Sequence, residues 1–296
     1  MPELSTQWIV ETDWLAERLE APDIVVVDAS LHLPNTGRNA KAEYLAEHIP
    51  GALFFDIDDI ADEENPLPHM LPDTVKFASR VKRMGIGDGV RVIAYDSVGL
   101  YSAARAWWMF RAMGHNDVAV LNGGLKKWKA EGRPVEDGEP PRRTPRHLSP
   151  RFHAELVRDA SEVKALIGNP VAQIVDARSA GRFEGREPDP RPGLRAGHIP
   201  SSRNVPYASL LNADGTLKSE PELRAVFAAA GVDIGRPVVA SCGSGVTAGI
   251  VALALAMLGR PDAAIYDGSW VEWGDERTGL PVATGPAGST QTRKAQ

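Results

Sequence analysis

Apolar residues along this chain gather in short β-branched runs set between longer mixed segments. That pattern belongs to buried parallel strands alternating with helices. Ile24 to Val27, Val90 to Ala94, Ile174 to Val175 and Val238 to Ala240 read as strands, and Ser102 to Met113 and Thr247 to Leu258 as the helices that cross between them. The pattern also runs twice. Trp14-Leu-Ala-Glu-Arg-Leu, Ile24-Val-Val-Val-Asp28, Glu47-His48-Ile49-Pro50-Gly51, Val90 to Asp96 and Ala119 to Trp128 are answered in the same order. The answering blocks are Val163-Lys-Ala-Leu-Ile, Ile174-Val-Asp176, Gly197-His198-Ile199-Pro200, Pro237 to Cys242 and Ala264 to Trp273. A repeat of this size is a whole domain rather than a solenoid unit. The expectation is two tandem α/β domains, each a parallel sheet with helices on both faces.

Between the halves, Glu131 to Arg146 is rich in proline, glycine and charge and has no apolar period, as a linker does. The expected divisions are an N-terminal domain over 1–132, a linker over 133–150, a C-terminal domain over 151–284 and a flexible tail over 285–296. The length of 296 residues agrees with two domains, and 43% hydrophobic with 24% charged residues suits globular structure. A net charge of −6 argues against nucleic acid or an anionic membrane as partner. The apolar run Ile250 to Leu258 is too short to span a bilayer, and the first residues lack the pattern of a secretory signal, so the expected location is the cytoplasm.

The repeat acts as an internal control, because features shared by both halves are architecture and features of one half are candidates for chemistry. His48 and His198 share a His-Ile-Pro context and read as packing residues. Trp107 and Trp108 read as core. The asymmetry falls after the fourth strand pattern, where one half has Asp96 and the other has Cys242, the chain's one cysteine. A single cysteine excludes an intrachain disulfide and a multi-cysteine zinc site. It is either core filler or a nucleophile.

Cys242-Gly-Ser-Gly-Val-Thr247 stands between a strand and an apolar helix, at the sheet edge where open α/β folds keep their ligands. Gly243 and Gly245 permit unusual dihedrals, and a nest of amides at a helix start stabilises an anion at the sulfur and favours the attacking thiolate. Other chemistries could use such a loop. Residues 243 to 248 loosely fit a dinucleotide fingerprint, with Asp267 as a ribose ligand, but late in the domain. A cysteine phosphatase needs a guanidinium closing the loop, where Ala248 and Gly249 stand. A cysteine hydrolase needs a histidine base, for which His69 is a candidate.

With Cys-Gly-Ser-Gly-Val-Thr-Ala at 242 to 248, the chain resembles the rhodanese superfamily over nearly its whole length, and in particular the two-domain 3-mercaptopyruvate sulfurtransferases. Further matching blocks are Phe54 to Asp58, Pro68-His69-Met-Leu-Pro72, Gly99-Leu-Tyr101-Ser-Ala, Gly181-Arg182-Phe183 and Pro188-Asp-Pro-Arg191. The resemblance implies that Cys242 carries sulfur as a persulfide, that Arg182 and Arg191 hold the donor's carboxylate and keto group, and that Tyr101 also contacts it. It implies that Ser244, His69 and Asp58 assist proton transfer, and that Gly243, Gly245, Val246 and Thr247 form the binding turn. Thiosulfate-specific relatives carry Arg-Lys after the cysteine, where this chain has Gly243 and Ser244. The implied partners are 3-mercaptopyruvate and a thiol acceptor, either a small thiol or a thioredoxin-like protein, with no metal or organic cofactor. One departure is Ser201 in His-Ile-Pro-Ser, where glycine is usual, which questions the local turn geometry.

Physical chemistry points the same way for the donor. Thiosulfate is a dianion and gains from cations beside the cysteine, whereas mercaptopyruvate is a monoanion that a guanidinium fork can hold.

Overall fold

Each β-branched run becomes the interior of a parallel sheet. A computed structural model describes residues 7–141, 143–288 and 292–293. They fold as two compact units. The first gathers the described residues up to Glu64, Leu71 to His153 and Leu211 to Leu217; the second gathers Asn65 to Met70, Ala154 to Leu210 and the described residues from Lys218 onward. The units are therefore not continuous in sequence.

In the first unit the elements are β1 (Ile9–Val10), α1 (Thr12–Ala16), β2 (Ile24–Asp28), α2 (Ala40–Ala46), β3 (Leu53–Phe54), α3 (Ile57–Ile60), α4 (Thr74–Arg83), β4 (Arg91–Tyr95), α5 (Ala103–Ala112), β5 (Val118–Leu121) and α6 (Gly124–Ala130). The second continues with β6 (Val157–Arg158), α7 (Ala160–Ala165), β7 (Gln173–Asp176), α8 (Ala180–Glu184), β8 (Arg203–Asn204), α9 (Glu220–Ala229), β9 (Val238–Ser241), α10 (Ala248–Met257), β10 (Ala264–Tyr266) and α11 (Ser269–Trp273). The five-stranded sheets run β1-β5-β4-β2-β3 and β6-β10-β9-β7-β8, the same order twice, with every pairing parallel. In each, the strand that ends at the asymmetric position, β4 or β9, lies in the middle.

The two cores are built alike. Leu15, Ile24, Ile93, Ala119 and Trp128 pack in one, and Val163, Ile174, Val239, Ala264 and Trp273 in the other. Trp128 and Trp273 each donate their indole N–H to a prolyl carbonyl, Pro134 and Pro281, at 2.7 Å. Helix α10 is apolar all round and buried along its length, which the sequence Ala-Gly-Ile-Val-Ala-Leu-Ala-Leu-Ala-Met requires. Helix α5 is equally buried, and Trp107 and Trp108 lie in its core-facing mass as expected. Its two arginines lie over indole rings, Arg105 on Trp108 at 4.4 Å and Arg111 on Trp107 at 4.6 Å.

Among its described residues the proline-rich segment after α6 has no helix, and it is bonded to the first unit rather than free. His48 and Glu136 form a backbone bridge, and Asp88 N–H donates to His147 O at 2.8 Å. A Cβ on Gly87 would meet His147 O at 2.3 Å, so that close approach needs glycine. Arg142 of this segment lies outside the described residues, as do residues 289–291 and 294–296 of the expected tail. Within the tail, Thr292–Arg293 (β12) pairs antiparallel with Val282–Ala283 (β11). Among the described residues, no helix is long and apolar enough to cross a membrane.

Candidate active site

Cys242 follows β9 directly, at the carboxyl edge of the second sheet, and is 2% exposed. The turn after it is held by the start of α11. Cys242 N–H donates to Ser269 Oγ at 3.1 Å, while Trp270 N–H and Val271 N–H donate to the carbonyls of Cys242 and Gly243 at 3.0 and 2.9 Å. Among the described residues, the amides of Ser244, Val246 and Thr247 donate to no protein acceptor. Gly245 takes φ +76°, as expected for a glycine-requiring turn. Gly243 does not lie in the left-handed region, contrary to its expected role, and its requirement is one of space. A Cβ there would stand 3.1 Å from Arg182 Nη2 and 3.7 Å from Arg191 Nη1.

Both guanidinium groups therefore lie against the backbone beside the sulfur-bearing residue. Their loop begins at Asp176, the end of β7, where Arg178 forks onto the Asp176 carboxylate with Nη2 to Oδ2 at 2.7 Å and lies over Trp270 at 4.1 Å. That buried pair anchors the start of α8, which carries Arg182. Ser179 caps the helix by accepting from Arg182 N–H at 3.4 Å. Arg191 Nη2 donates to Ser244 Oγ at 3.0 Å. Asp189, which the sequence did not single out, pairs with Arg182 Nη2 through Oδ2 and accepts Arg191 N–H on Oδ1 at 3.1 Å. An acid held between two prolines and two residues before an arginine was the available signal.

The first unit shows what the same junction does without the cysteine. Asp96 follows β4, and its carboxylate accepts five amides: Val98 and Gly99 on Oδ1 at 3.1 and 3.0 Å, and Tyr101, Ser102 and Ala103 on Oδ2 at 2.6, 2.9 and 3.0 Å. A strand–turn–helix junction of this plan thus gathers amides around an anion. The arginine position is changed too. His48 donates to Tyr44 O and stacks on its ring at 4.3 Å; His198 donates to Phe183 O and stacks at 3.8 Å. Those matched pairs make Glu43 the counterpart of Arg182. Glu43 is tied to Arg38, with Nη2 to Oε2 at 2.6 Å, and Arg38 holds its carboxyl below the usual range. A cavity of about 410 Å³ in this unit is lined by Asp28, Arg38, Glu43 and Ser97. Burial pushes the Asp28 carboxyl up, since no arginine stands where Arg178 faces Asp176.

The remaining expected site residues fall in both units. His69 belongs to the segment that packs as part of the second unit, and it is half-buried with φ +64°, a strained backbone for a non-glycine residue. Asp58 lies exposed in the first turn of α3, and Tyr101 on the Asp96 turn, both in the first unit. His48 and His198 are buried packing residues, as their shared context indicated.

Two stretches, residues 11–131 and 159–276, match the rhodanese-like domain model, and the chain belongs to that family. Among its relatives, a 3-mercaptopyruvate sulfurtransferase of Escherichia coli strain K12 is 44% identical over 94% of this chain and 99% of its own length. A thiosulfate sulfurtransferase of Bos taurus is also 44% identical, over 90% of this chain and 91% of its own. A crystal structure from Escherichia coli, of a 3-mercaptopyruvate sulfotransferase with the rhodanese fold, superposes with a TM-score of 0.81 at 42% identity, covering 89% of this chain and 99% of that one.

Proposed function

We propose that this protein is a 3-mercaptopyruvate sulfurtransferase, moving sulfur through a Cys242 persulfide to a thiol acceptor in the cytoplasm. The observation that carries the reading is the pair of guanidinium groups set against Gly243, one of them bonded to Ser244, with neither a lysine nor an arginine in the turn itself. Overall identity does not separate the donors, because relatives named for each stand at 44%. The turn supports the monoanion.

The Cys242 thiolate attacks the donor sulfur, the carbon–sulfur bond breaks, and its electron pair passes to the pyruvate enolate, which takes up a proton. Arg182 and Arg191 hold the carboxylate and the developing enolate oxygen, charge that grows as the bond breaks. The amides of Ser244, Val246 and Thr247 favour negative charge on the sulfur, as the Asp96 turn does for a carboxylate. An acceptor thiolate then takes the outer sulfur and returns the Cys242 thiolate. Ser244, His69 and Asp58 serve proton transfer in this reading, and Tyr101 contacts the donor.

Intact mass after incubation with mercaptopyruvate tests it. One sulfur should add to the wild-type protein and none to Cys242→Ser, which should also release no pyruvate. Continued turnover by that variant excludes the mechanism.

A further inference from the structure

We propose that Asp189 sets the charge class of the donor, by cancelling one of the two guanidinium charges and holding Arg182 in place. The inference rests on the proposed donor site and specifies how that site tells a monoanion from a dianion.

Asp189 has a side chain 3% exposed, and its two oxygens serve different partners. Oδ2 pairs with Arg182 Nη2, and Oδ1 takes the Arg191 amide at 3.1 Å. One carboxylate therefore ties the side chain of one clamp residue to the backbone of the other. Pro188 and Pro190 flank it, which fixes the chain on one side and restricts Asp189 to extended backbone on the other. Its position is thus set before any ligand arrives. Arg182 Nε is buried without a hydrogen-bond partner among the described residues, so the Asp189 bond accounts for one side of that guanidinium and leaves donor capacity on it.

The charges around the clamp then count simply. Arg182 and Arg191 carry two positive charges, Asp189 one negative, and the net of +1 matches a single carboxylate. Of the other acids nearby, Glu187 is exposed and accepts from Ser179 Oγ at 3.0 Å, Glu184 pairs with Arg186, and Glu272 accepts from Tyr266 Oη at 2.8 Å, so water or another partner takes up their charge. A dianion would bring one negative charge more than the net of the clamp can match. Like charges so placed repel strongly when water is excluded. Selectivity for a monoanion therefore comes partly from a residue that touches no donor atom, which makes Asp189 a positioning residue.

The test compares binding of pyruvate, a monoanion, and sulfate, a dianion, to wild type, Asp189→Asn and Asp189→Glu by calorimetry. Steady-state kinetics with mercaptopyruvate and thiosulfate run alongside. Asp189→Asn should shift the sulfate-to-pyruvate affinity ratio toward sulfate by roughly tenfold or more, and raise KM for mercaptopyruvate more than it lowers kcat. Asp189→Glu should restore most of the ratio. Equal weakening of both anions, or an unchanged ratio, overturns the proposal and leaves a merely structural residue. If the Asn variant does not fold, Asp189→Ser reads the same ratio. Neither anion transfers sulfur, so the ratio decides about Asp189 even if wild type releases no pyruvate from mercaptopyruvate, a result that would overturn the donor instead.

Discussion

Arg191 Nη2 donates to Ser244 Oγ at 3.0 Å, joining the loop after β7 to the turn after β9. The bond is partly buried, so its loss is felt at the clamp rather than absorbed by water. Ser244→Ala removes the acceptor and should lower kcat/KM for mercaptopyruvate about tenfold, the scale of a hydrogen bond to a charged group. Ser244→Thr keeps the hydroxyl and should retain most of the activity. Pyruvate release under steady-state conditions distinguishes the two.

Exchanging Gly243 and Ser244 for arginine and lysine crowds the clamp as well as adding charge. A Cβ at 243 meets Arg182 Nη2 at 3.1 Å, so the guanidinium must give way. Efficiency with mercaptopyruvate should fall by roughly tenfold or more while thiosulfate gains relative to it. An unchanged ratio of the two efficiencies would count against the charge argument.

Asp96→Ala leaves five inward amides of a buried turn without their acceptor. The expected cost to the first unit is about 3 kcal/mol or more in urea unfolding, since each orphaned buried group keeps its desolvation penalty. Asp96→Asn retains one carbonyl oxygen and should cost less. Equal stability of all three proteins would show that water replaces the carboxylate.

Burial lowers the pKa of both His198 and His115 below the ordinary imidazole value of 6.5, so the folded state takes up their protons less readily than the unfolded chain. Their contribution to stability is complete above pH 6.5 and is lost as pH falls from there through the folded values. Each can contribute a slope of at most about 1.4 kcal/mol per pH unit in that window. Asp28 acts in the opposite sense, because its raised pKa favours the folded state at lower pH. The difference between wild type and His198→Asn in urea midpoints across pH 5 to 8 isolates the imidazole, and a flat difference would remove it as a cause.

Ser201 shows how far one residue type can be read. The sequence marked it as a departure where glycine is usual, and it stands at φ +65°, close to the +73° of Gly51 in the matching turn. Its hydroxyl accepts Gly168 N–H at 3.1 Å, which offsets part of the strain of a left-handed serine.

The chain's hydrophobic periodicity determined the duplicated parallel sheets, and the lone cysteine at a strand–glycine–helix junction determined where the chemistry sits. Both are local matters, since strand runs and a turn are written in neighbouring residues. What only the tertiary structure decided is which distant charges meet that turn. Phe183 hydrogen-bonds a histidine 15 residues on, whereas Tyr44 does so over 4, and this insertion hides the match of Glu43 with Arg182 along the sequence. Only the shared aromatic–histidine stacks expose it. Asp189 likewise acquires meaning once two arginines converge on it, because an ion pair depends on distance in space, and spacing along the chain does not specify that distance.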